Sequence, residues 1–335
     1  MKFFPPQAII LQLYMQVKAF LERTNTFLER IFSLLATAGL ILGITLHWIF
    51  IELRPMVPWL FATVTLLSAL KLRVRDLGTT ISSPLPIFLF LFVVRVFIPS
   101  TIFAISSLIF RDHPDIVAGY VLLYSIPAAI TGFIWVTIFK GDAALALTLI
   151  ILDTLLAPIV VPGTVRIFLG AGIDLNMTGM ALSLIFMIVL PTIVGVALNE
   201  ISHGKIPAIV SPYLAPLSKI VIFFVIASNV AAVAPRIRLD NPIIWLICAT
   251  CFFFIAFCFC SARLATIAGK FDREKQVSFL YTSSLKNSIA AMTLAIRYFP
   301  EYAALPAVLG VIFQQNTAAV MGRIFFGKIG GKEKV

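Results

Sequence analysis

The sequence predicts an all-α integral membrane protein of ten transmembrane helices, on three observations: its composition is too apolar for water, its apolar runs recur at bilayer length, and its cations gather on one side of the resulting zigzag. Of 335 residues, 60% are hydrophobic and 12% charged, with a mean hydropathy of +1.04. That balance lies well outside a water-soluble domain. Hydrocarbon offers backbone amides no partner, so the chain must satisfy itself in helices or a closed barrel. Long unbroken apolar runs, without the alternation of barrel strands, select helices.

A bilayer core of about 30 Å takes about 20 residues of helix. With that ruler the spans fall at 31–50, 57–71, 88–110, 116–139, 142–169, 177–198, 214–234, 242–265, 275–298 and 302–326. Some links are very short, such as Lys140-Gly141-Asp142 between the fourth and fifth spans.

The formal charge of +11 raises the question of nucleic acid, and the placement of the cations answers it. With a cytoplasmic N-terminus, eighteen of the 26 Lys and Arg residues fall on the cytoplasmic side and six on the other; Arg95 and Lys286 lie inside spans. This is the positive-inside pattern, predicting both termini in the cytoplasm of a multi-pass cell-membrane protein. Its partners are then membrane lipids and no nucleic acid, and the chain is expected to work as a monomer.

Residues 1–30 carry Glu22 and Glu29 and do not form a charge-then-apolar leader. Within them, Ile9, Leu13, Val17, Phe20 and Leu21 share a helical face, which predicts an amphipathic helix on the cytoplasmic surface. Residues 327–335 form a basic cytoplasmic tail. All four cysteines, Cys248, Cys251, Cys258 and Cys260, lie in the eighth span. They read as small apolar core residues, with a zinc or redox Cys248-x-x-Cys251 as the alternative. His47, His113 and His203 are too scattered for a metal site, and no phosphate-binding Gly-x-x-x-x-Gly-Lys loop is present. Asn176-Met177-Thr178 matches a glycosylation triplet.

The two halves echo one another. Ile138-Phe139-Lys140-Gly141-Asp142-Ala143-Ala144-Leu145 resembles Tyr298-Phe299-Pro300-Glu301-Tyr302-Ala303-Ala304-Leu305 at an offset of 160 residues. Five spans per half would insert the copies in opposite orientations, as inverted repeats. In each half the helix before the echo is broken. The fourth span has Pro127 at its centre, with Thr131, Gly132 and Phe133 a turn later, and proline removes a backbone donor there. The ninth carries Thr282, Ser283, Ser284, Lys286, Asn287 and Ser288 inside an apolar run. Freed backbone at membrane depth belongs in the protein interior or beside a water-lined cavity, so two matched breaks predict a midplane binding site. The bland alternatives are an ordinary proline kink and serines that let helices approach closely.

Arg95, Asp153 and Lys286 are ionisable residues well inside spans, each costing about 2.5–3.5 kcal/mol at the bilayer centre. Two cations and one carboxylate do not cancel. If Asp153 pairs with one, the other calls for an anionic substrate group; the alternatives are that the long stem of Arg95 or Lys286 reaches the interface, or that the two cations neutralise with Asp153 and a network of carbonyls. A lysine in an apolar cavity also loads and unloads protons, so proton coupling is a second role for Lys286. Phe133, Trp135 and Tyr281 near the breaks suit an apolar-bodied anion.

These features together resemble the bile acid:sodium symporter family. The resemblance is carried by Pro127 to Gly141, the helix ending Thr154-Leu155-Leu156-Ala157-Pro158, and the Lys286-Asn287-Ser288 break. Tyr298-Phe299-Pro300, Ala303-Ala304-Leu305-Pro306 and Leu66 to Leu77 add to it. It implies a panel domain of spans one, two, six and seven (31–71 and 177–234) and a core domain of spans three to five and eight to ten (88–169 and 242–326). In the core, spans four and nine cross at their unwound centres, and an organic anion is carried by alternating access.

Where family members offer sodium ligands, the resemblance sets Gly132, Phe133, Ala146, Ile150 and Thr282, with Lys286 and Arg95 in place of glutamines. Few hard oxygens and two fixed cations predict altered or absent sodium coupling. No cofactor is expected, sodium being the one candidate ion. Three other readings compete: an ordinary sodium-coupled symporter, a channel, and an intramembrane enzyme using Ser283 or Ser284 with Lys286 as a serine–lysine dyad.

Overall fold

The computed structural model describes residues 16–17, 19–28, 31–70, 72, 84–170, 175–238 and 240–327. Helix α1 is Phe32–Thr45; a turn at His47–Phe50 and a 3-10 turn at Ile51–Met56 lead into α2, Val57–Ala69. There follow α3 (Pro84–Ile109), α4 (Pro114–Ser125), α5 (Gly132–Ile138), α6 (Ala143–Leu169), α7 (Met177–Ile201) and α8 (Lys205–Val233). The chain continues through α9 (Pro242–Ala268), α10 (Arg273–Ser284), α11 (Ser288–Tyr298) and α12 (Leu305–Phe326). Among the described residues there is no strand, and seven helical segments are long and apolar enough to cross a membrane. The sequence's fourth and ninth runs appear as helix pairs, α4 with α5 and α10 with α11, whose members are each too short to cross alone.

Local chemistry sets the helix ends. Side-chain oxygens of Asp142, Asn176, Asn241, Asp272 and Asn287 accept from backbone N–H groups in the first turns of α6, α7, α9, α10 and α11, satisfying donors with no intrahelical partner. Asn176 thus has a local structural role within its Asn-x-Thr triplet. Prolines shape helix interiors. Pro99 and Pro191 each follow a π turn, Val93–Phe97 and Ile185–Val189. A proline ring clashes with the carbonyl four residues back, and one wider turn relieves the clash. The first of these turns carries Arg95.

α1 runs along α8, and α2 packs on α7 and α8; elsewhere α9 packs on α10 and α12, and α3 and α6 on α4. A β-carbon at Gly43 would lie 2.6 Å from the Ala227 carbonyl, so the α1–α8 approach depends on that small residue. The outside is apolar: Ile159, Ile167 and Ile201 are each more than three-quarters exposed. The exposed Trp48, Trp59 and Trp245 lie beside the α1–α2 connection and at the start of α9.

The expected surface helix at the N-terminus is partly outside the described residues, Ile9 and Leu13 included; residues 19–28 are helical, and Lys219 of α8 donates to Asn25 at 2.6 Å. The tail beyond Gly327 is also outside them. The four cysteines are free thiols, Cys251 and Cys258 buried, and no group of metal-ligating side chains occurs among the described residues. The seventh run starts earlier than the hydropathy suggests, because α8 continues back to Lys205 through Pro212 and Pro216.

Candidate functional site

Ile126 precedes a proline and is therefore driven to extended backbone, φ −61° and ψ 147°. The chain stays unwound until Gly132 starts α5. In the second pair no proline intervenes; Leu285 is extended at φ −93° and ψ 113°. The two unwound stretches meet. Ala128 and Lys286 form an isolated antiparallel bridge, with Ala129 N–H donating to the Leu285 carbonyl at 2.9 Å and Asn287 N–H to the Pro127 carbonyl at 3.1 Å.

The remaining freed groups find side chains, as buried backbone must. Ala128 N–H donates to Asp153 Oδ2 at 2.7 Å, and Lys286 N–H to Gln314 Oε1 at 2.7 Å. The Ser125 carbonyl accepts from Arg95 Nη1. Arg95 Nη2 donates to the Asp153 carbonyl at 2.9 Å and lies 2.5 Å from Asp153 Oδ1. Arg95 and Asp153 therefore replace the helical bonds lost at the first break.

Asp153 takes Arg95 as its ion-pair partner. The Lys286 side chain is 2% exposed, and its Nζ has no hydrogen-bond partner. Ser283 and Ser284 Oγ are likewise buried without partners, so neither forms the dyad bond to Lys286. Thr282 donates to the Ser278 carbonyl of its own helix at 2.8 Å.

Against the crossing lies a cavity of about 140 Å³. On one side it is walled by Ala36 and Thr37 of α1, Phe61, Val64, Thr65 and Ser68 of α2, Ile188 of α7 and Ile222 and Ile226 of α8. On the other stand Ala128 to Thr131, Thr154, Lys286 to Ile289, and Val311, Ile312, Gln314 and Gln315 of α12. Thr131, Lys286, Asn287 and Ser288 are the sequence-derived candidates that line it. Lys286 is the ionisable residue among its walls, and none is Asp or Glu.

Pro127 contributes a carbonyl to the crossing, and Arg95 and Asp153 brace it from outside the cavity. Gly132 lets α5 approach the Tyr281 carbonyl, 3.2 Å from where a β-carbon would sit. Phe133 packs instead on Ala69, Leu72, Leu147, Ile151 and Val196. Sequence reasoning passed over Gln314 and Gln315. Gln314 Nε2 donates to Ser288 Oγ; Gln315 accepts from Trp135 Nε1 at 2.8 Å and donates to Thr131 Oγ1 at 3.4 Å. Their signal was a polar run, Gln314-Gln315-Asn316-Thr317, inside the last apolar span.

The model of the sodium bile acid symporter family matches residues 64–237, more than half of the chain. The chain belongs to that family. It is also similar to the uncharacterized protein YbaS of Bacillus subtilis (strain 168), 34% identical over 289 residues that cover 86% of this chain and 94% of that protein. Family membership and the long apolar helices make this a multi-pass membrane protein of transporter type. The matched region contains α3 to α8, hence the first broken pair, Arg95 and Asp153; Lys286 lies beyond it.

Proposed function

We propose that this family member is a secondary transporter that carries a small organic anion through the cavity at the crossing, by alternating access and without the usual sodium coupling. One observation carries the reading: a buried ammonium without a hydrogen-bond partner lines a cavity that contains no carboxylate. An unpaired buried charge is costly, and an anionic ligand offsets that cost. The N-terminus of α11 opens at the same place through Asn287, Ser288 and Ile289, and its dipole favours negative charge. The facing wall of Phe61, Ile188, Ile222 and Ile226 suits an apolar body.

In this reading ten spans form two inverted repeats, a plan supported by the reciprocal bonds across Ala128 and Lys286. The panel of α1, α2, α7 and α8 packs within itself and faces a moving core across the cavity. Both termini are cytoplasmic, and the exposed tryptophans Trp48, Trp59 and Trp245 lie at the opposite interface.

The test is equilibrium binding of small monoanions and their neutral amide analogues to purified wild type and Lys286→Met. Binding of the anions alone, lost in the variant, supports the reading. Equal binding of neutral analogues, or an unaffected variant, refutes it.

A further inference from the structure

We propose that the Arg95 guanidinium is a tethered cation occupying an oxygen cage at the crossing, and that the cage accepts a diffusible monovalent cation once the side chain is removed. Three oxygens converge on this one group: the Ser125 carbonyl at the C-terminus of α4, the Asp153 carbonyl and Asp153 Oδ1. Two are backbone atoms, so replacing Arg95 leaves them in place. The third carries a full negative charge and is anchored through its other oxygen, since Ala128 N–H holds Oδ2 at 2.7 Å.

The cage oxygens are therefore supplied by the broken helix and by α6, not by the residue that fills it. Arg95 arrives from a third element, on the π turn that Pro99 imposes in α3. The side chain of Arg95 is 7% exposed and that of Asp153 fully buried, so the guanidinium, not bulk water, compensates these oxygens in the wild type. Two carbonyls and a carboxylate oxygen form a hard-oxygen set of the kind that monovalent and divalent hard cations seek.

A fixed guanidinium makes one consequence follow for the whole molecule. The first unwound segment is held in place by a charge that never dissociates, so the crossing keeps its shape whatever ions the solution contains. Arg95 is a positioning residue in this account: it holds Ser125 and Asp153, and through Asp153 the Ala128 amide that faces Lys286. The inference rests on the geometry of the crossing, not on the anion reading, and its test uses no substrate, so the two stand or fall separately.

The test is thermal unfolding of the purified full chain in choline, sodium, potassium or guanidinium chloride at millimolar concentration and constant ionic strength. Wild type should melt at the same temperature in all four. Arg95→Ala should melt lower in choline and regain most of the loss, saturably, in guanidinium or an alkali salt. A second change, Asp153→Asn, should abolish that recovery. Arg95→Lys should be as indifferent to salt identity as wild type; if the alanine variant does not fold, Arg95→Gln, which removes the charge but keeps more of the buried volume, carries the same cation comparison. An Arg95→Ala protein that no cation distinguishes from choline would overturn the proposal. So would a saturable sodium response in wild type or Arg95→Lys.

Discussion

Ala128 and Lys286 face each other across the isolated bridge at which the two broken helix pairs meet. The bonds beside them are reciprocal, each unwound chain giving one N–H and one carbonyl to the other. The crossing is a shared structure, and a change on either chain is felt by both.

Pro127 makes the first break. Proline inside a helix costs about 3 kcal/mol relative to alanine, so Pro127→Ala restores that much preference for a continuous helix in competition with the crossing bonds. The expected result is a protein that inserts and purifies normally but transports at a small fraction of the wild-type rate, measured as uptake per molecule in proteoliposomes. Full activity would mean that the crossing bonds alone hold the break open.

Gln314 satisfies a buried amide that nothing else reaches. Gln314→Leu leaves the Lys286 N–H without its 2.7 Å acceptor, and an unsatisfied buried donor costs about 1–3 kcal/mol. A melting temperature lower by several degrees is expected, read by thermal unfolding in detergent. Gln315→Leu, whose partners are the side chains of Trp135 and Thr131, should cost less.

The α1–α8 contact predicts a packing defect away from the crossing. Gly43→Leu would drive a side chain into the Ala227 carbonyl, 2.6 Å from the first added carbon. Overpacking of this kind costs about 1–3 kcal/mol. The variant should show reduced thermal stability, with Gly43→Ala intermediate, and the loss should be independent of salt identity.

Trp135 reports on the cavity through Gln315. A ligand that engages Gln315 must compete with the 2.8 Å bond from Trp135 Nε1, so binding should change tryptophan emission. The exposed Trp48, Trp59 and Trp245 supply a constant background. Trp135→Phe should lose most of the ligand-dependent signal while retaining ligand binding by equilibrium dialysis.

Much of this architecture is legible in the sequence because bilayer physics allows few solutions. Apolar runs, a central proline and a polar stretch containing a lysine mark the helices and their breaks without tertiary information. The directions of side chains are different. Phe133 and Thr282 stand two and four residues from cavity-lining Thr131 and Lys286 yet turn into helix packing, since each residue of helix rotates the side chain by about 100°. Which cation takes Asp153 was equally invisible, because it depends on the π turn that brings Arg95 to α6. Gln314 and Gln315 announced themselves only as polar residues in an apolar helix, and their role depends on a break far away in sequence.

The most direct test of the central claim is uptake of a small organic monoanion into proteoliposomes with sodium, potassium or choline outside, for wild type and Lys286→Ala. The account predicts uptake that is the same in all three salts and collapses in the variant. Uptake strictly dependent on sodium, or undiminished without the lysine, would contradict it.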